Sequence, residues 1–160
     1  MADGGTSELI MLITGLLVAG IVTTLLVASW GGLANSMDAA QNQIEADSKT
    51  KASLAGDPMQ VSWNQSSCHL TLYIQNTGTL ELTTVELGVI INGTASTVNQ
   101  TRLLSNTSVW IAGEVAELYI CPAGITMSTG QEIIVTILVR SEHYKGISGQ
   151  YSFSEVVRLV

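Results

Sequence analysis

Two histidines, two cysteines and a scatter of carboxylates are the residues equipped for chemistry, and their spacing does not gather them into a reaction centre. Neither His69 nor His143 has a cysteine or carboxylate at metal-ligand spacing, so both read as structural or surface residues. Gly146-Ile147-Ser148-Gly149 lacks the second spacing of a nucleophile elbow and comes without a paired base or acid. Phosphate-loop and dinucleotide fingerprints are missing. Glu81, Glu86, Glu114, Glu117 and Glu132 read as solvated positions. The expectation is a non-enzymatic chain with no metal, cofactor or small-molecule substrate.

The cysteines suggest covalent chemistry of another kind. Cys68 and Cys121 lie at the edges of β-rich runs, with 52 residues between them. Outside the membrane they read as a disulfide, worth about 4 kcal/mol on the chain-entropy view; in a reducing cytoplasm they read as small core residues. Four triplets have the form of N-glycosylation acceptors, at Asn64, Asn92, Asn99 and Asn106, three of them within 92–108. Each marks an expected surface turn.

The elements that must position these residues are of two kinds. Leu9 to Trp30 is a run of 22 residues without a charge, spanning about 33 Å as a helix against a hydrocarbon layer of about 30 Å. This predicts one membrane-spanning helix. Its Gly15, Gly20 and hydroxyl residues are of the kind found where membrane helices touch, and Trp30 suits the outer interface as an anchor. No Lys or Arg precedes Lys49, which argues against a cleaved signal and leaves orientation to the domain chemistry. Sequons and cysteines then put the N-terminus in the cytoplasm and the C-terminal domain outside.

Beyond Trp30 an apolar stripe continues at Leu33, Met37, Ala40, Ile44 and Leu54, interrupted by Asp47 and Lys51, with spacings that alternate four and three. It predicts an amphipathic stalk, one helix from Thr6 to Leu54, with Pro58 as a firm stop. An exposed helix with an apolar seam needs neighbours, so the stripe, with Gly15, Gly20 and Glu8, forms the candidate helix–helix interface. Glu8 would pair with an amine on a neighbour, or simply stand as a helix N-terminal acid.

From Met59 the period changes to two. Cys68, Leu70, Leu72 and Ile74 share one face of a strand. Further strands are expected at Gln60 to Trp63, Thr84 to Ile91, Thr94 to Val98, Ser108 to Ile111, Val115 to Cys121, Glu132 to Val139 and Gln150 to Val157, with Asn92-Gly93 as a hairpin turn. The fold class is thus α+β: a long transmembrane and stalk helix over residues 1–57, then an immunoglobulin-like antiparallel sandwich of seven or eight strands over 58–160. Of Trp63 and Trp110, one is expected in the core. With 13 acidic and 6 basic residues the formal charge is −7 and no basic cluster tracks a phosphate backbone, which excludes nucleic acid as a natural partner.

Three stretches resemble a known family. Ser7-Glu8-Leu9-Ile10 leads into the apolar helix; Leu33-Ala34-Asn35-Ser36-Met37-Asp38 and Gly56-Asp57-Pro58 follow; then come LTLYIQNTG at Leu70 to Gly78 and VIINGT at Val89 to Thr94. Together they are similar to the archaeal flagellar G family, an accessory component of the archaellum motor related to archaellins and to the flagellar F family. The resemblance implies a stationary, membrane-anchored element in the bilayer with its sandwich beneath the surface layer. It would self-associate and bind the F-family protein and surface-layer protein in support of motility. The absence of a basic residue before the helix favours this over a filament-forming archaellin or type IV pilin-like subunit. A membrane-tethered binding module is the remaining alternative.

Overall fold

The computed structural model describes residues 4–105, 107–122 and 124–160. Two compact units divide the chain, the first ending at Gln41 and the second comprising Asn42–Val160. Helix α1 covers Gly4–Lys49.

From Leu9 to Trp30, in the first unit, α1 is apolar on every side and its large side chains are all exposed. Such a helix has no solvent face. Its hydroxyls need no water: Thr14, Thr23, Thr24 and Ser36 donate to the carbonyls of Ile10, Ala19, Gly20 and Gly32 at 2.7–2.9 Å. These four hydroxyls are thereby met within the helix, as a hydrocarbon environment favours. Among the described residues this is the one helix long and apolar enough to cross a membrane.

The second unit is an antiparallel sandwich of eight strands: β1 Ala52–Leu54, β2 Trp63–Asn64, β3 His69–Asn76, β4 Gly88–Ile91, β5 Thr94–Leu103, β6 Val115–Cys121, β7 Glu132–Arg140 and β8 Gln150–Arg158. Their order is β1-β3-β6-β5-β4-β7-β8, with β2 beside β3. Alternation governs the layers: Leu70, Leu72 and Ile74 of β3, Ala116, Leu118 and Ile120 of β6, and Ile133, Val135, Ile137 and Val139 of β7 all point inward and are buried. Strand β5 serves both layers. Its first residues, Thr94 to Ser96, pair with β4, and from Thr97 on it pairs with β6. A register shift between Val98 and Gln100 lies just past the change of partner, where a bulge adds bend and twist to the strand.

Closure comes from the segment before β2. Val61 bridges Leu159 in parallel, and its N–H donates to the Arg158 carbonyl at 3.0 Å, while Ser62 accepts from Thr71. The sandwich is therefore nearly a barrel, and the ends of its strand order, β1 and β8, approach one another. Trp110 is fully buried and donates from Nε1 to the Glu114 carbonyl at 2.9 Å; Trp63 is half-buried.

Several expectations shift. The helix ends at Lys49, not Leu54, and Leu54 belongs to β1, packed against the sandwich core. The reason is tertiary: the Lys49 carbonyl accepts from Thr79 N–H, and the Lys51 carbonyl accepts from Thr77 and Gly78, while Ala52 pairs with Asn76. The turn after β3 thus captures the chain before Pro58 is reached. Ser108 to Ile111 is a loop making a single bridge, Leu82 to Trp110. Thr84 to Ile91 shortens to β4, and Thr94 to Val98 extends to Leu103.

Two glycines mark where the helix end meets the sandwich. A Cβ on Gly78 would collide with the backbone of Lys49 and Lys51, and one on Gly149 with the Ala46 carbonyl and the Thr50 hydroxyl. Gly149→Ala is expected to destabilise the full chain in detergent by about 1–3 kcal/mol through overpacking against backbone, read from denaturant midpoints. Gly20→Ala, with open space around it, should leave the same midpoint unmoved.

Candidate assembly surface

The last turns of α1, within the second unit, are held by a cluster of charge. Glu45 accepts from Lys49 Nζ at 2.7 Å, from Lys145 Nζ at 2.8 Å and from the Tyr144 hydroxyl at 2.9 Å. Both ammonium groups also lie over the Tyr144 ring, 4.5 and 5.2 Å from its centre. Hydrogen bonds from Lys145, Lys49 and Tyr144 hold the Glu45 carboxyl down from 4.5 to about 2, and the same contacts raise both lysines. Two residues on, Asp47 accepts from the Gln150 N–H at 2.8 Å and from Gln43, whose amide also donates to the Ser148 carbonyl. The buried Thr50 returns its hydroxyl to Ala46.

Beneath the last carbonyl lies Asn76, fully buried. Its amide donates to the Leu80 and Trp110 carbonyls, and its Oδ1 accepts from Gly78 N–H, which shapes the turn that caps the helix. The helix end is thus built into the sandwich by its own hydrogen bonds. Of this cluster only the Glu45–Lys49 pair, four apart, has a local sequence signature; Tyr144 and Lys145 lie about a hundred residues away.

The residues expected to meet a neighbour are exposed. Glu8, Gly15, Gly20, Leu33, Met37 and Ala40 are open in the first unit, as is Trp30 at 68%. Ile44, in the second unit, is 69% exposed and immediately precedes Glu45. Leu54 is not part of this surface.

On the sandwich, Cys68 and Cys121 are joined, linking the start of β3 to the end of β6. Asn64 is exposed and caps a turn by accepting from Ser66 and Ser67 N–H. Asn92 sits in the hairpin turn at positive φ and accepts from Ile134 N–H; Asn99 is the exposed residue at the β5 irregularity. Asn106 lies outside the described residues. His69 packs its ring against Tyr119, centres 6.0 Å apart. His143 lines an open polar cleft of about 490 Å³ with Gln43, Asp47 and Arg140.

Glu117 departs from the expected solvated position. It is 5% exposed, on the outer side of β6, and accepts from Tyr73 at 2.9 Å and from Arg102 at 2.8 Å. Burial pushes its carboxyl up, yet Tyr73, Tyr119 and Arg102 outweigh burial and leave it below the ordinary range. Both tyrosines are raised in turn by this carboxylate. Among the described residues no three His, Cys, Asp or Glu side chains are grouped to hold a metal.

Comparison with known proteins adds a lineage to this geometry. The archaeal-type flagellin family matches residues 2–152. Flagella-related protein G of Methanocaldococcus jannaschii is 25% identical over 124 residues, which cover 75% of this chain and 80% of that protein.

The Glu45 cluster has a pH signature. A carboxyl that titrates at about 2 when folded and near 4.5 when unfolded contributes stability fully above 4.5, and loses it as the pH falls through 2. Thermal unfolding of the full chain in detergent should weaken over that window, and Glu45→Gln should flatten the dependence.

Proposed function

The chain belongs to the archaeal-type flagellin family, and from that footing we propose that it is a structural, membrane-anchored accessory element of the archaellum, a stationary scaffold that binds copies of itself and partner proteins. Its relation to flagella-related protein G supports an archaellum-associated role. The observation that carries the scaffold reading is the pairing of a wholly exposed apolar helix with a helix end built into the sandwich by the Glu45 and Lys49 contacts.

A stationary element must resist torque. That requires an anchor, lateral contacts and a helix end fixed in the sandwich. The span from Leu9 to Trp30 supplies the anchor, with Trp30 at the outer interface. Gly15 and Gly20 let backbones approach, and Leu33, Met37, Ala40 and Ile44 form the seam outside the bilayer. Glu8, exposed ahead of the apolar run, stands as a helix N-terminal acid or pairs with an amine of a neighbour. Glu45, Lys145 and the Asn76 turn provide the joint.

In this reading the N-terminus is cytoplasmic and the sandwich stands outside, beneath the surface layer, where an F-family accessory protein and surface-layer protein are its partners. The cystine and the glycan acceptors Asn64, Asn92, Asn99 and Asn106 support that side. Family membership over nearly the whole chain also favours a second reading, a filament subunit. Intact mass of the native protein separates the two, because a mature chain starting at the apolar helix belongs to a filament.

Affinity purification of the full chain from native membranes should recover further copies of it together with archaellum or surface-layer proteins. Leu33→Lys with Met37→Lys should reduce recovery of copies about tenfold or more, since charge in an apolar seam is strongly disfavoured, without changing sandwich stability. A wild-type chain that emerges alone would overturn the scaffold.

A further inference from the structure

Strands β7 and β8 carry an outward face whose first three levels are self-complementary when the two strands are exchanged. Their register pairs Glu132 with Arg158, Ile134 with Val156, Thr136 with Ser154 and Leu138 with Ser152. At the first level the pair has opposite charges; at the second both residues are β-branched and apolar; at the third both are hydroxyls. Ile134, Val156 and Leu138 are 53%, 52% and 42% exposed, an apolar allocation that a solvated sheet face does not need. Thr136 and Ser154 bond each other at 2.8 Å between them.

The charges are the second clue. Glu132 and Arg158 are exposed cross-strand neighbours, yet neither is in an ion pair among the described residues. At the other end of the face Arg140 is already engaged, to Glu86 at 2.7 Å. One unspent charge of each sign therefore sits beside the apolar pair.

We propose that the outward face of β7 and β8 is a two-fold contact with a second copy of this chain, the axis running along the strands and between them, so that β7 of each copy lies over β8 of the other. This rests on the reading that copies associate in one membrane, and it names the sandwich surface they use. The axis direction follows from the register: only when the strands of both copies point the same way does each paired level of one copy meet the same level of the other. Exchange of β7 and β8 then sets Glu132 of each copy against Arg158 of the other and Ile134 against Val156, the self-complementarity that an isologous interface requires.

Size explains why the contact needs the anchors. Two strands of nine residues cover roughly 30 Å by 10 Å, a footprint well under the roughly 1,000 Å² total that a stable interface between free proteins buries. Copies confined by their helices meet at high effective concentration, so a small face suffices.

The test uses full-length chains with two tags in the same membranes, one carrying Thr136→Cys and the other Ser154→Cys, joined by a short bis-maleimide; the native cysteines are paired and do not react. Glu132→Arg in both copies, or Arg158→Glu in both, should cut the cross-link at least about fivefold. Glu132→Arg in one copy with Arg158→Glu in the other restores both pairs and should bring the yield back to within about twofold of the parent. A yield indifferent to the reversals, a mixture no better than either reversal alone, or capture of a different protein would each overturn the proposal. Parent copies that co-purify but give a charge-blind cross-link defeat this face alone, whereas parent copies that do not co-purify defeat the scaffold reading with it.

Discussion

A helix that ends within a β-sandwich must hand its last carbonyl groups to donors it does not own, and here the turn after β3 supplies them. The Lys49 carbonyl is taken by Thr79, and the Lys51 carbonyl by Thr77 and Gly78. Buried Asn76 holds that turn in shape through three hydrogen bonds. Because the carbonyls are satisfied this way, α1 stops at Lys49 and the next residues enter the sheet as β1. The close approach explains Gly78 and Gly149, where any side chain would meet backbone or the Thr50 hydroxyl. It also places Lys49 where Glu45, Tyr144 and Lys145 can gather around it.

A second constraint acts on the rest of the helix. Residues apolar on every side cannot remain in water, and their hydroxyls must find partners without it. Back-bonding by Thr14, Thr23 and Thr24 meets the second condition inside the helix itself. A hydrocarbon layer would meet the first. A chain of the archaeal-type flagellin family with this helix, a nearly closed sandwich and a hydrogen-bonded joint has the parts of an assembly protein. The bridge between Val61 and Leu159 draws the end of β8 against the segment before β2.

Much of this was legible in the residues. The uncharged run from Leu9 to Trp30 and the period-two pattern of β3, β6, β7 and β8 carry their structure locally, because hydrophobic spacing alone specifies which side is buried. Cys68 and Cys121 flank strands that pair in register from Leu70 to Gln75, which brings them together. What was not legible depends on distant partners. Leu54 continues the helical stripe on paper, yet Ile74 pairs with it in the sheet. Ser108 to Ile111 has strand composition, but Trp110 goes to the core and its flanks have no ladder to join. Glu117 looked like one more surface acid, and only the positions of Tyr73 and Arg102 on neighbouring strands make it buried. The Glu45 cluster was hidden for the same reason.

The central claim, that the exposed seam of α1 is covered by other copies, is tested most directly by scanning single cysteines through residues 33–44 of the full chain in native membranes and oxidising them. The account predicts disulfide-linked dimers that peak at positions 33, 37, 40 and 44 and fall away at Asn35, Asp38 and Gln41, the periodicity of one helix face. Cross-linking that is absent, or equal on all faces, would contradict it.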